Sequence, residues 1–145
     1  MKIYRLLPAL LLFTAFSINA EAQCKGFAKR VCLPLLGNYT HDGNYHAAIL
    51  VEGEEAELYK TFYANMDYRL AILGEERLPG VRFRVYDSSR NLIYSNEDAE
   101  EPSVWDFRLE ASQQLMIVVE VPRDSSADRL PTSGCVSIMF GFRVR

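Results

Sequence analysis

The tightest restriction on how this chain folds is a period-two alternation of apolar and polar residues that runs through its second half. Val81, Phe83 and Val85 alternate with Arg82, Arg84 and Tyr86. Trp105, Phe107 and Leu109 alternate with Asp106, Arg108 and Glu110, and Val136, Ile138, Phe140 and Phe142 with Ser137, Met139, Gly141 and Arg143. Successive side chains of a strand point to opposite faces, so each segment reads as a strand with one dry and one wet face. Leu115 to Val121 is apolar on both faces until Glu120 and is expected to lie centrally in a sheet. Shorter strand patterns cover 46–51, 57–63, 68–73 and 92–94. Turn chemistry separates most of them, as in Gly53-Glu54-Glu55, Gly74-Glu75-Glu76 and Asp87-Ser88-Ser89-Arg90-Asn91. About eight short strands with no long helix after residue 36 predict an all-β domain. The expected architecture is a two-sheet antiparallel β-sandwich of jelly-roll type. Two polar segments, Asn96 to Ser103 and Arg123 to Ser133, are expected to be flexible loops.

The segment ahead of the strands is of a different kind. Lys2 and Arg5 precede an apolar run from Leu6 to Ile18 that leads to Ala20-Glu21-Ala22, the three-part layout of a signal peptide over residues 1–22. The run is shorter than the ~20 residues a membrane-spanning helix needs, so no membrane insertion is expected after cleavage. Periplasmic or extracellular localisation follows. Residues 23–44 then read as an N-terminal helix and loop, and 45–145 as the sandwich domain. Phe27, Val31, Cys32 and Leu35 have helical spacing, and Pro34 is expected to end or displace that helix. The net charge is -3, and the leader carries Lys2, Arg5 and Glu21, so the remainder is one unit more negative. That balance argues against nucleic acid as a partner.

All three cysteines, Cys24, Cys32 and Cys135, follow the leader and would meet an oxidising compartment. On one continuous helix, Cys24 and Cys32 would stand ~12 Å apart, too far for a bridge. The expected bond therefore runs from Cys32 or Cys24 to Cys135, with Cys32 and Cys135 taken as the candidate pair. Free, buried thiols are the alternative. Lipid modification of Cys24 is a further alternative, although Glu21-Ala22-Gln23 matches such a site poorly.

Groups that would carry catalysis are scarce. His41 and His46 are the only histidines, and neither belongs to a nucleophile motif or has the paired spacing of a zinc site. For calcium, the oxygens would come from Glu52, Glu54 and Glu55 or from Asn96-Glu97-Asp98-Ala99-Glu100-Glu101, but the spacing of a dedicated loop is missing from both. Solvated acidic loops are the simpler account. Arg82, Arg84, Arg108 and Arg143 occupy wet strand positions, where they form either a cationic face or cross-strand ion pairs. Tyr59, Tyr63, Tyr68, Tyr86 and Tyr94 are candidates for a ring-lined sugar-binding surface, or simply reflect strand propensity. No cofactor and no catalytic residue is predicted.

His41-Asp42-Gly43-Asn44-Tyr45, the run Glu52 to Phe62, Trp105-Asp106-Phe107 and Gly134-Cys135-Val136 together resemble a group of uncharacterised exported β-sandwich proteins of Bacteroidetes-type bacteria. More distantly, the hairpin of Val85-Tyr86-Asp87 and Leu92-Ile93-Tyr94 is similar to bacterial pre-peptidase C-terminal (PPC-like) domains. That resemblance implies a sandwich that accompanies secreted enzymes, and it brings no catalytic residues. The expected function is a non-enzymatic exported envelope module that binds a protein, glycan or surface component. A secreted hydrolase or its accessory subunit, and a structural envelope protein without a ligand, are the alternatives.

Overall fold

The computed structural model describes residues 20–144, so residues 1–19 of the predicted leader lie outside the described residues. Two antiparallel sheets are built from nine strands. They are β1 (Thr40–His41), β2 (His46–Val51), β3 (Glu55–Phe62), β4 (Asp67–Gly74), β5 (Arg82–Tyr86), β6 (Leu92–Ser95), β7 (Val104–Arg108), β8 (Gln113–Glu120) and β9 (Ser133–Arg143). In the five-stranded sheet, β9 pairs with β4, β4 with β7, and β1 and β2 share the other edge of β9. The four-stranded sheet has the order β3-β8-β5-β6, which puts the apolar strand β8 in the interior as expected. Strand β1 shows that the sandwich starts before residue 45, inside the segment expected to be a loop.

The alternating residues meet between the sheets. Phe62 on one sheet contacts Tyr68, Phe107 and Phe140 on the other, with ring centroids 4.9, 5.1 and 5.7 Å apart. Leu70, Ile72, Phe83, Val85, Leu115, Ile117 and Val119 complete a dry interior. Trp105 closes one side of it, stacked between Tyr94 and Phe107. Asn96 is buried rather than part of a flexible loop. Its Oδ1 accepts the Phe83 N–H at 2.8 Å, and its Nδ2 donates to the carbonyls of Val81 at 3.0 Å and Pro102 at 2.8 Å. A buried amide satisfied on both sides fixes the 96–103 connection against β5.

The expectation of a wet face on β9 is corrected: Ser137, Met139 and Gly141 are all buried. The helical segment lies over them. Its parts are α1 (Ala20–Phe27), a π-helical turn (Ala28–Cys32) and a 3-10 turn (Leu33–Leu36). Ala28, Cys32 and Leu36 pack on Ala71 and Met139, while Cys24 and Phe27 pack near Cys135, Ala47 and Leu73. Pro34 sits at the start of the 3-10 turn, where its missing N–H costs nothing. A Cβ at Gly141 would stand 2.7 Å from that of Tyr39, so this strand position must be glycine for the chain to cross so closely.

The same packing corrects the expected disulfide. Cys24, not Cys32, is bonded to Cys135, with Cα atoms 5.2 Å apart. Cys24 lies over the start of β9. Eight residues further along, Cys32 has been carried past it, and its Sγ faces the carbonyls of Ala71 at 3.5 Å and Ser137 at 3.9 Å. Cys32 is a free, buried thiol, which burial pushes up to a pKa of about 11. The Cys24 sulfur, being in a disulfide, has no bond left for a lipid thioether.

Candidate functional site

The two sheets present very different outer faces. On the five-stranded sheet the helical segment covers the middle, and the open end is occupied by ion pairs. Asp67 takes Arg108 Nη2 at 2.6 Å and Arg143 Nη2 at 3.3 Å, and Arg69 makes a two-bond fork to Asp106, both at 2.7 Å. Among the described residues, no helix packs on the outer face of the four-stranded sheet. Here Tyr59 of β3, Met116 of β8, Tyr86 of β5 and Leu92 of β6 are register partners in turn, and form one row across all four strands.

That row exists because Leu58, Ile117 and Val85, the chain neighbours of Tyr59, Met116 and Tyr86, are committed to the core. Period-two geometry then sends Tyr59, Met116 and Tyr86 outward. Tyr59 is 53% exposed and Leu92 55%. Next to Leu92, beside a register shift between Val85 and Tyr86, Ile93 is also 40% exposed. In the neighbouring row Glu57, Arg84 and Ser95 flank Val118. Arg84 Nη2 reaches on to Glu55 at 3.0 Å and Glu120 at 3.7 Å, which belong to the row beyond.

Of the five candidate tyrosines, the structure brings Tyr59 and Tyr86 together here. Tyr63 is exposed just beyond the end of β3. Tyr68 and Tyr94 instead point inward, where Tyr68 donates its hydroxyl toward Met66 Sδ and Tyr94 stacks on Trp105. Met116 and Leu92 were missed as surface residues. Met116 lies in a segment whose apolar run hides its outward members, and only the register with Tyr59 and Tyr86 shows its direction.

The candidate cationic face is not formed. Arg82 and Arg84 lie on the four-stranded sheet, Arg108 and Arg143 on the five-stranded one, and each has a carboxylate partner. The histidines lie where the two sheets meet beside β1 and β3. Lys60 Nζ bridges the seam to Asp42 at 2.7 Å and sits 4.7 Å above the Phe140 ring. Burial pushes the Asp42 carboxyl up, but the bonds from Lys60 and Asn44 outweigh it and hold the pKa below the usual range. His46 stands edge-on to Phe140, and burial lowers its pKa. His41 Nε2 faces the Asn44 carbonyl at 3.0 Å and its ring meets Tyr45. A cavity of about 220 Å³ opens beside Asp42 and Lys60, walled largely by Tyr63, Tyr68, Phe140 and Phe142.

The acids proposed for calcium do not converge. Glu52 turns inward to Arg129 at 2.8 Å, Glu54 accepts the Val51 N–H at 2.7 Å, and Glu55 binds Arg84. Among the described residues, no group of three or more His, Cys, Asp or Glu side chains is placed to hold a metal ion. Among the same residues, no helix is long and apolar enough to cross a membrane.

No protein-family model and no curated protein matches the chain. Its fold is similar to that of PliG from Aeromonas hydrophila, a periplasmic lysozyme inhibitor of g-type lysozyme. The TM-score is 0.52 at 14% sequence identity, over 73% of this chain and 89% of that one.

Proposed function

We propose that this chain is an exported, non-enzymatic module that binds a protein partner on the outer face of its four-stranded sheet. The observation that carries the reading is the uncovered row of Tyr59, Met116, Tyr86 and Leu92. Contiguous exposed apolar surface on a soluble domain marks interaction sites, and tyrosine and methionine are enriched where proteins meet. The Arg84, Glu55 and Glu120 cluster supplies a polar rim. The Cys24–Cys135 bond supports an oxidising compartment and, with it, the export expected from the leader. The fold shared with a periplasmic inhibitor supports a protein, rather than a glycan, as the partner. His41 meets the Asn44 carbonyl, the Tyr45 ring and, at 3.7 Å, the Asp42 carboxylate, and His46 stands edge-on to Phe140; among the described residues neither ring is hydrogen-bonded to a hydroxyl or thiol, which favours binding over hydrolysis.

The test is binding by the secreted protein to proteins of its own cell envelope, with a g-type lysozyme as the first defined candidate. Tyr86→Asp and Leu92→Asp should each weaken the interaction by about thirty-fold, the size of a central contact. Lys29→Gln, on the helical segment behind the other sheet, should leave it unchanged. Equal affinity for all three variants would exclude this face.

A further inference from the structure

The connection from β8 to β9 is a protruding loop over 121–132, and its Leu130 is 88% exposed. Its two ends are tied to the 52–54 turn. Glu52, whose side chain is 1% exposed, pairs with Arg129 Nη2 at 2.8 Å. Arg129 Nη1 also donates to the Leu130 carbonyl at 3.3 Å and to Thr132 Oγ1 at 3.2 Å. The backbone adds Glu52 N–H to the Thr132 carbonyl at 2.9 Å and Gly53 N–H to the Val121 carbonyl at 2.7 Å. Withdrawing a carboxylate from water is costly unless it is paired, so Glu52 and Arg129 hold each other in place. The guanidinium thus ties Glu52 to the Leu130 carbonyl and the Thr132 hydroxyl, and the Leu130 side chain is presented outward.

The surroundings select a partner. Turns and loops 52–54, 75–81, 96–103 and 121–132 all lie at this end of the sandwich. They carry ten Asp or Glu residues against Arg77, Arg123 and Arg129. The connections at the opposite end, 42–45, 63–66, 87–91 and 109–112, carry three acids against Arg90. An apolar side chain at the negative pole of the molecule fits an apolar pocket inside a positively charged cleft, and the field steers such a partner inward. Rigid presentation of the loop removes the ordering cost that a flexible one would incur on binding.

We infer that the Arg129-braced loop is a second docking element, which inserts Leu130 into an apolar pocket of a basic folded protein. This rests on the reading of the chain as a protein-binding module but uses a surface separate from the Tyr59 to Leu92 row. The experiment is site-specific photo-crosslinking of the full chain in its own cells, with the reactive residue at position 128 in one version and at position 93 in another. The inference expects a discrete adduct from position 128 to a protein of positive net charge. That adduct should fall at least tenfold with Leu130→Asp, a change at a solvent-facing position that does not disturb folding, and should fade in 0.5 M salt. Arg129→Leu should also lower it, and Arg129→Lys should restore it in part. No adduct at 128, an adduct indifferent to Leu130→Asp, or an adduct to an acidic protein each overturns the inference. Adducts at 93 but not at 128 overturn the loop alone, whereas silence at both positions counts against the protein-binding reading as well.

Discussion

Removing the Cys24–Cys135 bond by the paired change Cys24→Ala with Cys135→Ala should strongly destabilise the domain. The bond closes a loop with a sequence separation of 111, for which chain entropy alone gives about 4.8 kcal/mol at 25 °C. Both cysteines are buried among Phe27, Ala47 and Leu73, and alanine at each removes only the volume of one sulfur. Because the unfolded chain keeps some structure, the measured loss is expected between about 3 and 5 kcal/mol. Urea unfolding followed by fluorescence of Trp105, the single tryptophan, reads this directly. With an m-value of roughly 2 kcal/mol/M, the midpoint should fall by ~1.5–2.5 M. A thiol count on the denatured, unreduced protein should give one reactive group, Cys32, and Cys32→Ala should give none. A midpoint shift below ~0.5 M, or three free thiols, refutes the argument.

The Cys32 thiol gives a second outcome, set by its raised pKa of about 11. The folded state disfavours the thiolate, so this contribution is intact below the ordinary thiol pKa near 9. It should be lost as pH rises toward about 11, up to roughly 3 kcal/mol, with Cys32→Ala flattening the alkaline limb of a urea-stability profile. His46 works in the other direction, since burial lowers its pKa and the fold disfavours its charged form. Stability from this site should be present above pH 6.5 and decline as pH falls below it; NMR titration should put His46 under the ordinary value, and His46→Asn should lessen the acid dependence. Asn96→Leu removes one acceptor and two donor contacts from buried backbone groups and should cost ~2–4 kcal/mol in the same urea assay, whereas Asn91→Leu, in the exposed turn, should cost under ~1 kcal/mol.

Much of the sandwich was legible because alternation reports burial directly. Val81 to Tyr86 and Trp105 to Glu110 became β5 and β7 with the expected residues facing inward, since both strands are covered on one side only. The same logic failed on β9. Ser137 and Gly141 look like solvent-facing residues, but their small size suits the close approach of the helical segment. A period-two pattern cannot separate a wet face from one covered by small side chains. The disulfide was misassigned for a related reason, because which helical cysteine reaches Cys135 depends on where the helix crosses the sheet. The apolar row was only half visible. Tyr59 and Tyr86 drew notice as aromatics, but their alignment with Met116 and Leu92 is set by strand register, which the sequence does not display. Arg129 and Glu52 are 77 positions apart, and nothing local to either marks the pair.

Because the helical segment and its disulfide lie on the five-stranded sheet, a tether joined at Gln23, the start expected after cleavage, would leave from the back of the molecule. The Tyr59 to Leu92 row looks the other way. A tether, fusion or affinity tag placed at that end would turn the uncovered sheet toward solution, so capture through the N-terminal side orients every molecule with its proposed docking face outward. Coupling through lysine amines would keep that order at Lys25 and Lys29, on the back, and lose it at Lys60, at the seam.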